Sequence, residues 1–152
     1  PEVAKLLASS DRWLRLNGLT TLEPDVAEAL AGHPGWLTLN GLESITPEAA
    51  EALGKFHGET LDLNQLQVLD IEVAERLAEA KPSNTLSFNS VKTLSPEVAA
   101  ALVAGNHRHL SLQGLEDLPE ESLKILRRHQ RRKLEANTGG MLLPSKFDLS
   151  NR

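Results

Sequence analysis

Two tryptophans, Trp13 and Trp36, are the residues of this sequence best suited to bind another molecule. They are the only two Trp in the chain. Each directly precedes a Leu-x-Leu triplet, and Arg15 lies inside the first of these triplets. Trp and Arg dominate the energetics of many interfaces because they bury a large area and combine apolar with polar contacts. The chemistry that they indicate is non-covalent recognition.

Residue types that could support catalysis or bind a metal do not form a recognisable set. There is no cysteine among the 152 residues, and no GxSxG, Walker or Rossmann pattern occurs. No nucleophile, base and orienting group can be assembled from the polar positions. The histidines lack an HxxxH spacing or a carboxylate partner at ligand spacing; they are His33, His57, His107, His109 and His129. We therefore expect no enzyme, no metal site and no cofactor.

Positive charge is concentrated near the end of the chain. Residues 1–123 contain eight Lys and Arg against nineteen Asp and Glu, a net charge of −11, whereas residues 124–152 have a net charge of +6. Four arginines at helical spacing are candidates for anion binding, namely Arg127, Arg128, Arg131 and Arg132. The alternative is a solvated helix face. Without interleaved aromatics or a nucleic-acid motif, nucleic acid is not the expected partner.

The elements that position these residues repeat about every 24 residues. Leu-Arg-Leu-Asn-Gly-Leu at residues 14–19 returns as Leu-Thr-Leu-Asn-Gly-Leu at 37–42, and related copies begin at Leu61, Leu86 and Leu110. A sixth, degraded copy begins at Leu134. Alternating leucines predict a short strand with one buried face. A period of this length indicates a solenoid, whose units bury apolar surface only against their neighbours.

A short helix is predicted after each strand. Thr46-Pro47-Glu48 and Ser95-Pro96-Glu97 place a capping hydroxyl, a first-turn Pro and an acid in order, which suits a helix start. Asp70 keeps the cap without Pro, and Glu23 is a poorer cap before Pro24. Apolar residues spaced by one and four, as in Val26-Ala27-x-x-Leu30, then predict one buried helix face.

A Leu-x-Leu strand followed by a helix every 23–25 residues resembles the leucine-rich repeat family. Because Asn follows the second leucine immediately, the chain is similar to a divergent class, the LxLNGLxxLxPExAxAL repeats of bacterial proteins. The resemblance covers about residues 1–138. It implies an α/β fold, a right-handed solenoid with a parallel β-sheet on the concave face and short helices on the convex face. It also implies protein or peptide binding.

Equivalent positions of parallel strands form rows across a sheet. The outward row before each first leucine contains Trp13, Trp36 and His109, and the row after it contains Arg15, Thr38 and Asp62. These six are our candidate binding residues. The alternative is a solvated polar sheet, with both tryptophans closing loops. The asparagines after each strand are expected to bond neighbouring turns as an internal ladder, or otherwise to bond a bound peptide.

The boundaries are predicted as a solenoid over residues 1–138 and a tail over residues 139–152. The solenoid would contain about five full repeats, and it begins in mid-repeat, so we expect a fragment of a larger protein. The tail either caps the last repeat or adds to another chain. No signal peptide and no apolar run long enough to span a bilayer is present, and the compartment is not indicated.

The predicted function is a protein- or peptide-binding module that presents rows of side chains on a concave sheet. Two alternatives remain open at this point. One is a structural or self-assembling segment of a larger protein, and the other is binding of an anionic ligand through the arginines of the last helix.

Overall fold

The fold is α/β, with a single all-parallel sheet of six strands alternating with helices. It was obtained as a computed structural model, which describes residues 2–9, 12–105 and 107–147. The strands lie in the sheet in the order of the chain. They are β1 Trp13–Arg15, β2 Trp36–Thr38, β3 Thr60–Asp62, β4 Thr85–Ser87, β5 His109–Ser111 and β6 Gly140–Leu142.

One helix precedes β1 and one connects each strand to the next. The helices are α1 Glu2–Ala8, α2 Pro24–Ala31, α3 Pro47–Leu53, α4 Ile71–Ala78, α5 Pro96–Ala104 and α6 Glu120–Ala136, and a 3₁₀ turn follows at Ser145–Phe147. The predicted caps of α3 and α5 are confirmed, because Thr46 Oγ1 and Ser95 Oγ each accept a backbone N–H bond at 3.3 Å. Glu23 makes no side-chain cap.

The core lies between the sheet and the helices. The leucine at the centre of each of the first five strands pairs with the equivalent residue of the next strand, as Leu37 does with Leu61. Both are fully buried, and so is Leu42 at the third leucine of its repeat. Alanines on the helices, such as Ala50, are also fully buried. They allow the helices to pack closely on a core built mainly of leucine.

The predicted sixth strand at Leu134 is wrong. Leu134, the first leucine of the degraded sixth copy, belongs to α6 together with its neighbours Lys133 and Glu135. This helix continues to Ala136 because its sequence consists of good helix formers, and Asn137 ends it in the left-handed conformation with φ 51°. Strand β6 follows instead, and Met141 takes the leucine position beside Leu110.

Strand β6 lies in the segment predicted as a tail. The boundary between residues 138 and 139 and the capping role of that segment stay predictions. The structure adds that Met141 is buried, whereas Leu142 is exposed. The backbone N–H of Met141 donates to Gln130 Oε1 of α6, so the last strand and the last helix are joined directly.

The asparagine ladder is confirmed as an internal one. The side-chain oxygen of each asparagine accepts the backbone N–H of the equivalent residue in the next repeat: Asn40 to Asn17 at 3.1 Å, Asn64 to Asn40 at 2.9 Å, Asn89 to Asn64 at 3.0 Å and Gln113 to Asn89 at 3.0 Å. These bonds supply acceptors for N–H groups at the turns, where the sheet ladder has ended.

Glycine directly after the ladder asparagine or glutamine is explained by the close approach of neighbouring turns in two repeats. A Cβ at Gly114 would lie 1.9 Å from the carbonyl oxygen of Asn89, and one at Gly41 would lie 2.4 Å from that of Asn17. Gln65 and Ser90 occupy this place in two other repeats, so glycine is required only where neighbouring turns approach this closely.

Two buried histidines connect consecutive loops. Nδ1 of His33 donates to the carbonyl of Ala8 at 3.0 Å, and Nδ1 of His107 donates to that of Ala80 at 3.1 Å. Burial, with a smaller contribution from the nearby charges of Lys133 and His129, lowers the pKa of His107 to about 4 and outweighs its bonds to the carbonyls of Ala80 and Leu102. His107 is therefore a neutral structural group at physiological pH.

Removing one rung of the ladder should destabilise the fold. Asn64 Oδ1 accepts both the Asn89 N–H and the Ser87 hydroxyl, at 3.0 and 2.6 Å. Asn64→Ala leaves both donors without this partner, and we expect it to lower the free energy of unfolding by about 1–3 kcal/mol in urea titrations. Gln113→Ala is the matched control, because that exposed side chain ends the ladder. Equal losses in the two variants would contradict the structural role of the ladder.

Acidification should destabilise the protein through His107. Between its unfolded pKa near 6.5 and its folded pKa of about 4, only the unfolded chain binds the proton. Stability from this group is therefore complete above that window and is lost as the pH falls through it. Between pH 7 and 4.5 the free energy of unfolding should fall by about 2 kcal/mol more in the wild type than in His107→Gln.

The control for this comparison is His57→Gln, which removes an exposed histidine. It should follow the wild-type dependence on pH. If urea titrations showed the same dependence of unfolding free energy on pH for the wild type and His107→Gln, His107 would be ruled out as the source of the acid destabilisation.

Candidate functional site

The two tryptophans stack on the face of the sheet opposite the buried leucines. The parallel register places Trp13 beside Trp36, and their ring centroids are 5.4 Å apart with an interplanar angle of 29°. Side chains alternate along a strand, so Trp13 and Arg15 point away from the core while Leu14 is buried. The Trp13 side chain keeps 58% of its area exposed.

Charged groups hold both rings. The guanidinium of Arg15 lies 5.3 Å from the centroid of the Trp13 ring, a cation–π contact. Nε1 of Trp36 donates to Glu59 Oε2 at 2.8 Å, which satisfies the indole N–H of this half-buried ring. Trp36 is thus anchored between Trp13 and Glu59, while Trp13 remains the more accessible ring.

A cleft of about 270 Å³ opens beside the stacked pair. Seven side chains line it: Trp13, Arg15, Asn17, Trp36, Thr38, Asn40 and Asp62. We call this the tryptophan cleft. It contains five of the six predicted binding residues, which come from three adjacent strands. It combines aromatic surface, amide groups and one charge of each sign, which are means of binding rather than of bond breaking.

Asp62 is the least hydrated charged group of this cleft. It is half-buried at the end of β3. Burial raises the pKa of its carboxyl, and a hydrogen bond with Asn64 lowers it by less. Thr38, one strand nearer to the tryptophans, is only 8% exposed and lies low in the cleft. Desolvation of Asp62 strengthens its interaction with any charge that enters.

His109 does not join the tryptophan cleft. It is half-buried on β5, three strands from Trp36. Sequence reasoning missed Glu59, which supports the site, and it gave the lining residues Asn17 and Asn40 peptide bonding only as the alternative to an internal ladder. Their place in the cleft could have been predicted because each lies two residues after an outward residue, Arg15 or Thr38, and so on the same side of the chain. Glu59 lies one residue before β3. Because it is outside the strand, the alternation of side chains does not predict where its side chain points.

The predicted anion-binding arginines form a second cluster on α6. Arg127, Arg128, Arg131 and Arg132 line a shallow cleft of about 510 Å³ together with Lys124. Lys124 pairs with Glu120 at 3.1 Å, whereas no ion pair is found for the four arginines in the part of the chain that the structure describes.

Lys133 and His129 lie on another side of α6. Nζ of Lys133 donates to the carbonyl of His107 at 2.8 Å. The pKa of His129 is lowered first by burial and then by the charges of Lys133 and Arg132. The positive charges of this helix therefore disfavour protonation of its own half-buried histidine.

Within the described ranges, no helix is both long and apolar enough to cross a bilayer, and no three His, Asp or Glu side chains are grouped as metal ligands would be. Comparison with known proteins gave no similarity: no family model matches the chain, and neither a curated protein nor a solved structure matches it.

Proposed function

We propose that this chain is a leucine-rich-repeat-like solenoid that binds a protein or peptide on the helix-free, concave face of its sheet. The 24-residue period and the all-parallel sheet with one connecting helix per strand support this architecture. In such a protein the binding residues are rows of side chains that a rigid sheet holds at fixed spacing.

The observation that carries the binding proposal is the stacked pair of Trp13 and Trp36. A residue as large as Trp13 with 58% of its area exposed gains little folding stability from burial. Rings that are already fixed by Arg15 and Glu59 lose little entropy when a partner covers them. This combination is typical of the aromatic anchors at the centres of interfaces.

Substitution of either tryptophan should weaken binding strongly without unfolding the chain. Peptides would be selected from a displayed library against the wild type, and their affinities measured by fluorescence polarisation. We expect Trp13→Ala and Trp36→Ala each to weaken binding by about thirtyfold or more, the effect of losing a hot-spot side chain. Trp13→Ala should cost only about 1 kcal/mol of stability, the scale of an aromatic pair.

Val68→Ala is the control for that experiment. Val68 is 78% exposed and lies in the loop between β3 and α4, away from the tryptophan cleft. It should bind the selected peptides as the wild type does. A library that yields no binding peptide, or peptides bound equally by both tryptophan variants, would overturn the proposal.

A second candidate function is anion binding by the four arginines of α6, favoured by their lack of ion pairs within the described residues and by their shared cleft. Heparin serves as the anionic probe. We expect the variant with Arg127, Arg128, Arg131 and Arg132 changed to Gln to elute from heparin at clearly lower salt than the wild type, because fewer counterions are released on binding.

The matched control removes the same number of positive charges elsewhere, with Lys5, Lys55, Lys81 and Lys92 changed to Gln. Its net charge equals that of the arginine variant. If both variants eluted at the same salt concentration, retention would reflect net charge alone, and α6 would not be a binding site.

A further inference from the structure

The charges around the tryptophan cleft are arranged unevenly. Its one cation, Arg15, lies over the Trp13 ring. Its one anion, Asp62, lies on the opposite side of Thr38, because β2 separates β1 from β3 in the sheet. The second carboxylate nearby, Glu59, is bonded to the indole N–H of Trp36. The part of the cleft next to Trp36 and β3 is therefore negative, and the part next to β1 is positive.

Asp62 differs from the paired acids of this chain. In the ion pairs of Glu28, Glu51, Glu72 and Glu116, the glutamate side chains are more than half exposed. Asp62 is half-buried, and the described part of the chain offers it Asn64 as a partner but no cation. A carboxylate that folding removes from water without a counter-charge costs stability. Such a group is typical of a binding site whose ligand supplies the missing charge.

We infer that the tryptophan cleft binds the guanidinium group of an arginine side chain from the peptide partner, with Asp62 accepting its hydrogen bonds and Trp36 lying against it. This inference rests on the proposed function and specifies the chemistry of the partner. The geometry that carries it is an unpaired, half-buried carboxylate in the same cleft as a ring that is fixed in place.

Guanidinium suits this cleft better than ammonium does. It is planar, it stacks on aromatic rings, and it donates two parallel N–H bonds to one carboxylate. It is also less strongly hydrated than the ammonium of lysine, so less hydration is lost when it lies between Trp36 and Asp62. The charge of Arg15 opposes any incoming cation, but that side chain is exposed and its effect is reduced by solvent and salt.

The test uses acetyl-arginine amide as the probe and the two indole N–H signals of the protein in NMR spectra. Trp13→Phe assigns the signals, since the chain has two Trp. We expect the Trp36 signal to shift during the titration, with a dissociation constant on the order of 1 mM for so small a ligand. Acetyl-lysine amide should bind more weakly, and acetyl-glutamine amide should cause no saturable shift.

Two variants are expected to change the affinity for acetyl-arginine amide in opposite directions. Asp62→Asn keeps the shape of the side chain and should weaken binding of acetyl-arginine amide by about tenfold or more. Arg15→Gln removes the repelling charge and should strengthen it. Asp117→Asn, an exposed aspartate in the loop after β5, is the matched control and should change nothing. Thermal melts should show that Asp62→Asn is no less stable than the wild type.

The outcomes separate this inference from the proposed function. If acetyl-arginine amide gives no saturable shift, or binds equally well to Asp62→Asn, the arginine site is overturned. Selected peptides that still depend on Trp13 and Trp36 would then leave the peptide-binding function intact. If the probe binds as expected but no peptide is selected, the arginine site stands, and the proposed function is the part that fails.

Discussion

The structure depends on the pairing of each strand with the equivalent residues of the next. Three-residue strands such as Thr60–Asp62 form few hydrogen bonds of their own, and Leu61 at the centre of this strand is fully buried. That burial requires Leu37 on one side and Leu86 on the other. No repeat could bury its leucines alone, so the stability of each one is shared with its neighbours.

The same pairing produces two sets of aligned side chains with different roles. At the turns, the asparagine oxygens accept backbone N–H groups and stabilise the fold. On the face opposite the buried leucines, the alignment of Trp13 with Trp36 creates an aromatic stack, and the next row places Arg15 and Asp62 on either side of Thr38. The candidate binding residues thus occupy positions whose spacing the fold has already fixed, which would lower the entropy lost when a partner binds.

Individual elements show where sequence reasoning succeeded and why it failed. The helix starts at Pro47 and Pro96 were predicted correctly because a hydroxyl cap before Pro is a local signal. Leu134 was placed wrongly in a strand because its spacing of 24 residues from Leu110 fitted the repeat. The good helix formers around Leu134 instead extended α6. The residue of β6 that pairs with Leu110 is Met141, 31 residues later. Here local propensity outweighed the period.

The sequence by itself determined the first five strands, the short helices between them and the rows of the sheet face, because these follow from a spacing that the repeats share. Only the tertiary structure decided how those rows are used. It left Trp13 exposed, bonded Trp36 to Glu59, buried half of Asp62 without a cation and excluded His109 from the cleft. Each outcome depends on which side chains from other repeats surround the residue. The solvent exposure and the partners of a side chain are set by residues distant in the sequence, so local spacing does not predict them.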